Sequence, residues 1–205
     1  MRTTRHTTLS TSLAGLLTAG ALVLTSCGGE DTAADNPSIP DAEPFNRADV
    51  DFATDMIPHH AQALLMVDAA TAHGDLSPEM TELVEGIRSE QTSEIEQMTD
   101  WLQDWDQPVP DNPRDHGGMG DDDHMEDLAD MPGMASEDEL DALGEASGSG
   151  FEQMWLQMMI DHHEGAIEMA EQEVEDGEFP ETVELADQIT TSQADEIEQM
   201  EQMLD

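Results

Sequence analysis

The chain has 205 residues. It contains 49 aspartates and glutamates but only five arginines and no lysine, which gives a formal net charge of −44. A surface of this charge repels polyanions, so the composition excludes nucleic acid as a partner and argues against attraction to anionic lipid headgroups. The single cysteine, Cys27, excludes a disulfide within the chain. Composition does not separate two explanations of the acidity, namely attraction of cations and adaptation to high salt.

Residues 1–26 predict a secretory signal peptide. Arg2 and Arg5 form a short basic start, residues 13–24 are apolar but too few to span a bilayer, and small residues precede Cys27. The tetrapeptide Leu24-Thr25-Ser26-Cys27 resembles the lipobox of bacterial lipoproteins. We therefore predict export, lipidation of Cys27 and anchoring to the outer face of the cell membrane. The alternative is an ordinary signal peptide with an incidental cysteine.

Residues 27–46 contain glycines and prolines with few apolar groups, and they predict a flexible, lipid-anchored tether. The bundle domain is expected over residues 47–205. Within residues 49–105, apolar side chains recur at helical spacing from Asp49 to about His73, and Ser77-Pro78 is typical of a new helix N-terminus. These residues form the first predicted hairpin, and Pro108 ends its second helix.

A second hairpin is predicted over residues 150–204, with one helix from about Gly150 to Asp176 and another from Pro180. An acidic linker, residues 106–148, joins the two hairpins. Within it, Ser136 and Glu139 form a capping-box pattern that predicts a short helix. Because neither hairpin can bury an apolar face alone, we predict an all-α protein, a four-helix bundle built from two duplicated hairpins.

Two motifs occur twice in the chain. Met-x-x-His-His lies at residues 56–60 and 159–163, an offset of 103 residues, and Glu-Ile-Glu-Gln-Met lies at residues 94–98 and 196–200. Ala63 and Ala166 follow the first motif at the same offset. The chain therefore carries an internal duplication, and the repeated part keeps imidazole and thioether groups, which are metal-ligand types, rather than core residues alone.

Antiparallel pairing within each hairpin is expected to bring the repeated polar residues to one height. In the first hairpin, His60 should lie level with Gln91, and Met56 close to Glu94. The second hairpin repeats this arrangement with His163, Gln193, Met159 and Glu196. We expect the neighbouring His59 and His162 to flank the interface between the helices, where they can face water.

Polar groups buried in this way cost about 1–3 kcal/mol each when they lack partners, so they must satisfy one another or hold a cation. One hypothesis is therefore a metal site, and the alternative is a His–Glu and His–Gln hydrogen-bond network that sets the register of the helices. Imidazole with thioether favours copper, especially Cu(I), whereas carboxylates widen the choice to other divalent metals such as zinc, iron or manganese. Because no helix carries Glu-x-x-His, the pattern argues against an oxygen-activating di-iron centre.

The linker holds further methionines and histidines among its aspartates. Loose spacing of these residue types is typical of a labile Cu(I) or Ag(I) site on a mobile loop. The equally acceptable alternative is a solvated acidic linker without a metal. The candidate ligands of this possible labile site are His116, Met119, His124, Met125, Met131 and Met134.

Four segments together resemble a bacterial family called domain of unknown function 305. They are residues 52–63 and 159–170 around the paired histidines, residues 87–102, and Met131-Pro132-Gly133-Met134. The resemblance extends from Asn46 to Leu204. It implies a ferritin-like four-helix bundle, an extracytoplasmic location and, as in some members, copper binding. It assigns copper ligation to Met56, His59, His60, Met159, His162 and His163, with Met66 and Met169 as weaker additions.

The leading hypothesis is a lipid-anchored, extracytoplasmic metal-binding protein that sequesters or passes on copper. The first alternative is a non-catalytic interaction or scaffold bundle, in which the histidine, glutamate and glutamine side chains only set register. The second is a metal-dependent enzyme such as a cuprous oxidase, which requires an open coordination position. The sequence contains no nucleophile–base triad, phosphate-binding glycine loop or nucleotide fingerprint.

Overall fold

The computed structural model describes residue 39 and residues 43–111 and 131–205. This part of the chain is all-α, as predicted, and contains five helices and no strand. We number them α1 (Arg47–His73), α2 (Pro78–Asp104), α3 (Glu137–Glu145), α4 (Ser149–Asp176) and α5 (Pro180–Leu204). The predicted signal peptide, Cys27 and the linker residues His116, Met119, His124 and Met125 lie outside the described residues.

The helix N-termini lie where the local sequence places them. Asn46 and Asp49 form a reciprocal capping box at the start of α1, and Ser136 and Glu139 form the predicted one at the start of α3. At the start of α2, the side chain of Ser77 accepts a hydrogen bond from the backbone amide of Met80. These caps satisfy amides that the first helical turn leaves without carbonyl partners.

Two carboxylates related by the duplication join the hairpins to each other. Asp49, in the first turn of α1, accepts hydrogen bonds from the amide of Phe179 at 2.9 Å and the hydroxyl of Thr182 at 2.7 Å, at the start of α5. Its counterpart Glu152, in the first turn of α4, accepts one from the amide of Ser77 at 2.8 Å, at the start of α2. Each hairpin therefore stabilises the helix N-terminus of the other.

The two hairpins pack through α1 and α4, and the core consists of two hydrophobic clusters. The first cluster takes residues from the second half of α1 and the first half of α4, including Ala63, Met66, Ala70, Phe151, Trp155 and Met159. The second takes residues from the first half of α1 and the second half of α4, including Phe52, Ala53, Met56, Ala166 and Ala170. Along both helices, the paired histidines fall between the two clusters.

The short helix α3 packs against the first cluster. Its Leu143 is only 1% exposed and lies in the same cluster as Phe151 and Trp155. Among the described helices, none has a stretch that is both long and apolar enough to cross a bilayer.

Candidate metal centre

All four histidines of the repeated motifs are fully buried in one layer. The rings of His59 and His162 are in contact at the α1–α4 interface, with centroids 3.9 Å apart. The ring centroid of His60 lies 6.4 Å from that of His59, and the centroid of His163 lies 6.4 Å from that of His162. The expectation that His59 and His162 can face water is therefore wrong. These two side chains lie at the contact between α1 and α4, through which the two hairpins pack against each other.

Every Nε2 atom in this layer has an acceptor. His60 donates to Glu94 at 2.8 Å, and His163 donates to Glu196 at 2.7 Å, so each hairpin contains the same imidazole–carboxylate pair. His59 donates to the carbonyl of Pro132 at 2.9 Å, and His162 to the carbonyl of His59 at 3.1 Å. Since carboxylates and carbonyls only accept hydrogen bonds, the proton of each neutral ring belongs on Nε2.

The opposite nitrogen of each ring has no partner. The four Nδ1 atoms of His59, His60, His162 and His163 are buried without a hydrogen bond. In a neutral ring with the proton on Nε2, Nδ1 carries an unshared lone pair, which is the electronic form of imidazole that ligates a metal. The hydrogen-bond network considered as an alternative is thus present, but it accounts for only one of the two nitrogens in each ring.

Burial keeps the central rings neutral. Desolvation, with a smaller contribution from the neighbouring His60, lowers the pKa of His59 to about 3. Desolvation also holds the pKa of His162 well below its usual value, with a smaller contribution from His59. At neutral pH both rings are therefore uncharged, and no proton competes for their Nδ1 lone pairs.

The amides of Gln91 and Gln193 are also buried, each 2% exposed, and neither their oxygens nor their nitrogens have partners. They lie one helical turn from Glu94 and Glu196 and add oxygen donors to the same part of the bundle. No group of three or more histidine, cysteine, aspartate or glutamate side chains in the described residues converges as a ready-made metal site. A site in this layer would therefore need thioether or amide donors or a small movement of side chains.

The candidate methionines divide between the two sides of the histidine layer. Met56 is buried in the second cluster and Met159 in the first, and each precedes the paired histidines of its own helix by about one turn. Met66 is buried in the first cluster, and Met169 packs against the second. Met131 and Met134 are half-buried and border the segment described next.

Residues 131–135, which we call the strap, pack directly over the histidine layer. The strap supplies the Pro132 carbonyl to His59, and both backbone groups of Ala135 pair with the amide of Gln62 at 2.8 Å. Gly133 has φ of +74°, and a Cβ at this position would lie 3.0 Å from the Cα atoms of His162 and Gly165. The backbone of the strap therefore touches α4 at Gly165.

Sequence reasoning did not identify Gln62 and Gly165 as residues that hold the strap. The duplication contains the signal, because an offset of 103 residues aligns the two positions with each other. One copy has a long amide that binds the strap, and the other has a glycine that leaves room for it. A departure from an otherwise well-kept repeat thus marks the place where the linker docks.

Solved structures with the same fold include proteins with bound copper and silver. A DUF305 fragment from Deinococcus radiodurans is 31% identical over 79% of this chain and 98% of that chain, with a TM-score of 0.66. A DUF305 protein from Streptomyces coelicolor, described as a candidate secreted protein, is 32% identical over 77% of this chain and 91% of that one, with a TM-score of 0.64. CopM in its Cu(I)-bound form is 32% identical over 76% of this chain and 94% of that one, with a TM-score of 0.59.

CopM has also been solved in Cu(II)-bound, silver-bound and apo forms that match this chain. No curated protein matches it by sequence. The family model described as domain of unknown function (DUF305) matches residues 49–204, which is most of the chain and nearly all of the bundle. The predicted resemblance is confirmed, and the chain belongs to the DUF305 family.

Proposed function

We propose that this protein is an extracytoplasmic metal-binding protein that holds copper in the histidine layer and sequesters or transfers it. The observation that carries the proposal is the set of four buried imidazole Nδ1 atoms without partners, at the centre of a duplicated bundle. The copper-bound and silver-bound forms of the family member CopM support it. In this proposal the metal is the cargo of the protein.

The donor set favours Cu(I) over harder ions. His59 and His162 offer neighbouring neutral imidazoles, and Met56 and Met159 offer a soft thioether on each side of them. His60 and His163 are oriented by their carboxylate partners, in the way that outer-shell carboxylates commonly orient metal-binding histidines. Glu94 and Glu196, like Gln91 and Gln193, are weaker candidates because their oxygen atoms suit divalent ions better than Cu(I).

The proposed location rests on the N-terminal sequence, most of which lies outside the described residues. We propose that residues 1–26 act as a signal peptide, that Cys27 carries the lipid, and that residues 27–46 tether the bundle domain to the outer face of the membrane. The family member from Streptomyces coelicolor, a candidate secreted protein, supports export. Mass spectrometry of the protein from its native envelope would show a diacylated or triacylated N-terminal cysteine, and an unmodified Cys27 would contradict the anchor.

Competition with a colorimetric Cu(I) chelator tests the metal site. The double variant His59→Gln with His162→Gln should lose Cu(I) uptake, because it removes both imidazoles at the centre of the layer. His73 lies outside the layer and stacks on Phe151 with a centroid distance of 4.3 Å, so His73→Gln serves as the matched control and should bind like the wild type. Undiminished Cu(I) uptake by the folded double variant would show that the histidine layer is not the site.

The register network remains the second candidate function, because every Nε2 atom already has an acceptor. A ligand that binds only the native state must raise the unfolding temperature, by an amount that grows with its free concentration. We therefore expect the melting temperature to rise as Cu(I) is added under anaerobic conditions. An unchanged midpoint at saturating Cu(I) would favour a scaffold bundle.

A further inference from the structure

The histidine layer is closed to solvent by the elements packed around it. His59, His60, His162 and His163 are each 0% exposed. The layer lies where α1 packs on α4, with α2 against α1, α5 against α4 and the strap over the contact between the two hairpins. A metal ion or any other solute can therefore reach the four rings only after one of these elements moves.

The strap is held more weakly than the helices. The four long helices contribute side chains to the two hydrophobic clusters, whereas no residue of the strap belongs to either cluster. All five strap residues are half-buried. Among the described residues, the strap is joined to the helices by three hydrogen bonds, one from His59 and two with Gln62. Since local opening takes place where few buried apolar contacts hold a segment, the strap is the cover that opens at the lowest cost.

Two of the three hydrogen bonds come from a single side chain. Gln62 is 2% exposed, and its amide nitrogen donates to the carbonyl of Ala135 while its amide oxygen accepts from the backbone amide of Ala135. This reciprocal pair fixes the strap over α1. The third bond comes from His59, which is itself a ring of the layer. Displacement of the strap therefore uncovers His59 in the same movement.

The strap has room to move without displacement of a helix. Pro132 lines a cavity of about 420 Å³ between the first half of α1 and the second half of α4, with Phe52 and Met169 on the same wall. On its other side the strap continues into Ser136, the N-cap of α3, and the buried side chain of Leu143 fixes that helix on the core. The strap can thus pivot at the start of α3 and shift into the cavity.

We propose that the strap is a gate over the histidine layer and that Gln62 is the residue that holds it closed. Opening separates Pro132 and Ala135 from α1 and exposes His59. His163 stays covered, because its Nε2 atom is bonded to Glu196 on α5, at 2.7 Å. The passage of Cu(I) through this gate rests on the proposed function, whereas the gate itself does not.

Carbethoxylation of the metal-free protein by diethyl pyrocarbonate tests the gate, because this reagent modifies neutral imidazoles that it can reach. Peptide mass spectrometry gives a rate for each histidine. Gln62→Ala removes two hydrogen bonds, so it should raise the rate at His59 about tenfold or more and leave the rate at His163 unchanged. Gln202→Ala is the matched control: it removes one exposed bond, to Glu198 on α5, and should change neither rate.

An unchanged rate at His59 in Gln62→Ala would overturn the gate. An equal rise at His59 and His163 would overturn it too, since that result indicates opening of the whole bundle. Gln62→Glu provides a milder variant that keeps the acceptor for the amide of Ala135 and loses only the donor to its carbonyl. It should raise the rate at His59 by less than Gln62→Ala does, and wild-type protection in Gln62→Glu and Gln62→Ala alike would show that Gln62 does not hold the strap.

Stopped-flow transfer of Cu(I) from a colorimetric chelator tests the passage of copper. A gate controls rates rather than the equilibrium, so Gln62→Ala should take up and release Cu(I) about tenfold faster, with an affinity close to that of the wild type. Equal rates in the two proteins would show that copper does not enter under the strap. Failure of both proteins to bind Cu(I) would contradict the proposed function instead, and carbethoxylation of the metal-free protein would still decide whether the gate exists.

Discussion

Gly165 provides a direct test of how the strap is held. A Cβ added at this position would overlap the carbonyl group of Pro132 and would lie 2.6 Å from the amide nitrogen of Gly133. Both obstacles are backbone atoms, so a side chain cannot rotate away to relieve the clash. Gly165→Ala must therefore push the strap off α4.

The structure gives the size of the effect. Displacement of the strap breaks the bond from His59 to Pro132 and the two bonds between Gln62 and Ala135. At about 1 kcal/mol each, these three bonds are worth about 3 kcal/mol. Replacement of a helical glycine by alanine by itself raises the free energy of unfolding by about 1 kcal/mol. The net expectation for Gly165→Ala is a loss of about 2 kcal/mol in the free energy of unfolding.

Urea denaturation of the metal-free protein, followed by circular dichroism, measures this difference. Gly86 is the matched control, because it lies within α2 and a Cβ there would have nothing within 4 Å. Gly86→Ala should stabilise the protein by up to about 1 kcal/mol. If Gly165→Ala stabilises the protein as Gly86→Ala does, the strap does not rest on α4 in the way described.

Three further results are expected. Met56→Leu with Met159→Leu conserves volume, so the unfolding free energy should fall by less than about 1.5 kcal/mol per site, whereas Cu(I) affinity measured with the chelator should drop and binding of divalent ions should persist. Asp49→Ala removes the acceptor for Phe179 and Thr182 at the start of α5, and urea denaturation should show a loss of about 2–3 kcal/mol; wild-type stability would contradict the link between the hairpins. The pKa of His59 is about 3 in the folded protein against an ordinary value of 6.5, so the unfolded chain binds the proton first, and metal-free stability should decrease as pH falls from about 6.5 towards 3. His59→Gln should reduce this dependence in denaturation curves recorded at several pH values.

Much of the fold could be predicted because its signals are local. Ser77 and Ser136 are observed as helix N-caps where the sequence predicts them, and the capping box at α3 is present. Antiparallel pairing also brought the correct helices together at the correct height. The pairing argument placed His60 level with Gln91, whereas His60 forms its hydrogen bond with Glu94, one helical turn away from Gln91. Pairing fixes the level of a residue to about one turn, and the rotation of each helix decides which side chain makes the contact.

The contact between His59 and His162 could not be predicted for a different reason. Residues 56–64 of α1 are all buried, because α2 covers one side of the helix, α4 another and the strap a third. A helix that is buried all round shows no periodic boundary between an inner and an outer face. The polar side chains of this segment therefore gave no indication of which face would pack against the second hairpin.

The departures from the repeat are as informative as the repeat itself. Two identical hairpins related by a two-fold axis would present every surface twice, but the chain has one linker and can cover a given surface only once. The linker residues in the strap bind Gln62 and need the space above Gly165, its counterpart. Helix α3 likewise packs against the first cluster, which contains Ala70, whereas the counterpart of Ala70, Glu173, lines an open cavity. Where the two copies agree, at the histidines and their glutamates, the residues form the shared interior. Where they differ, as at Gln62 and Gly165, the departure marks a place where the linker docks on one copy alone.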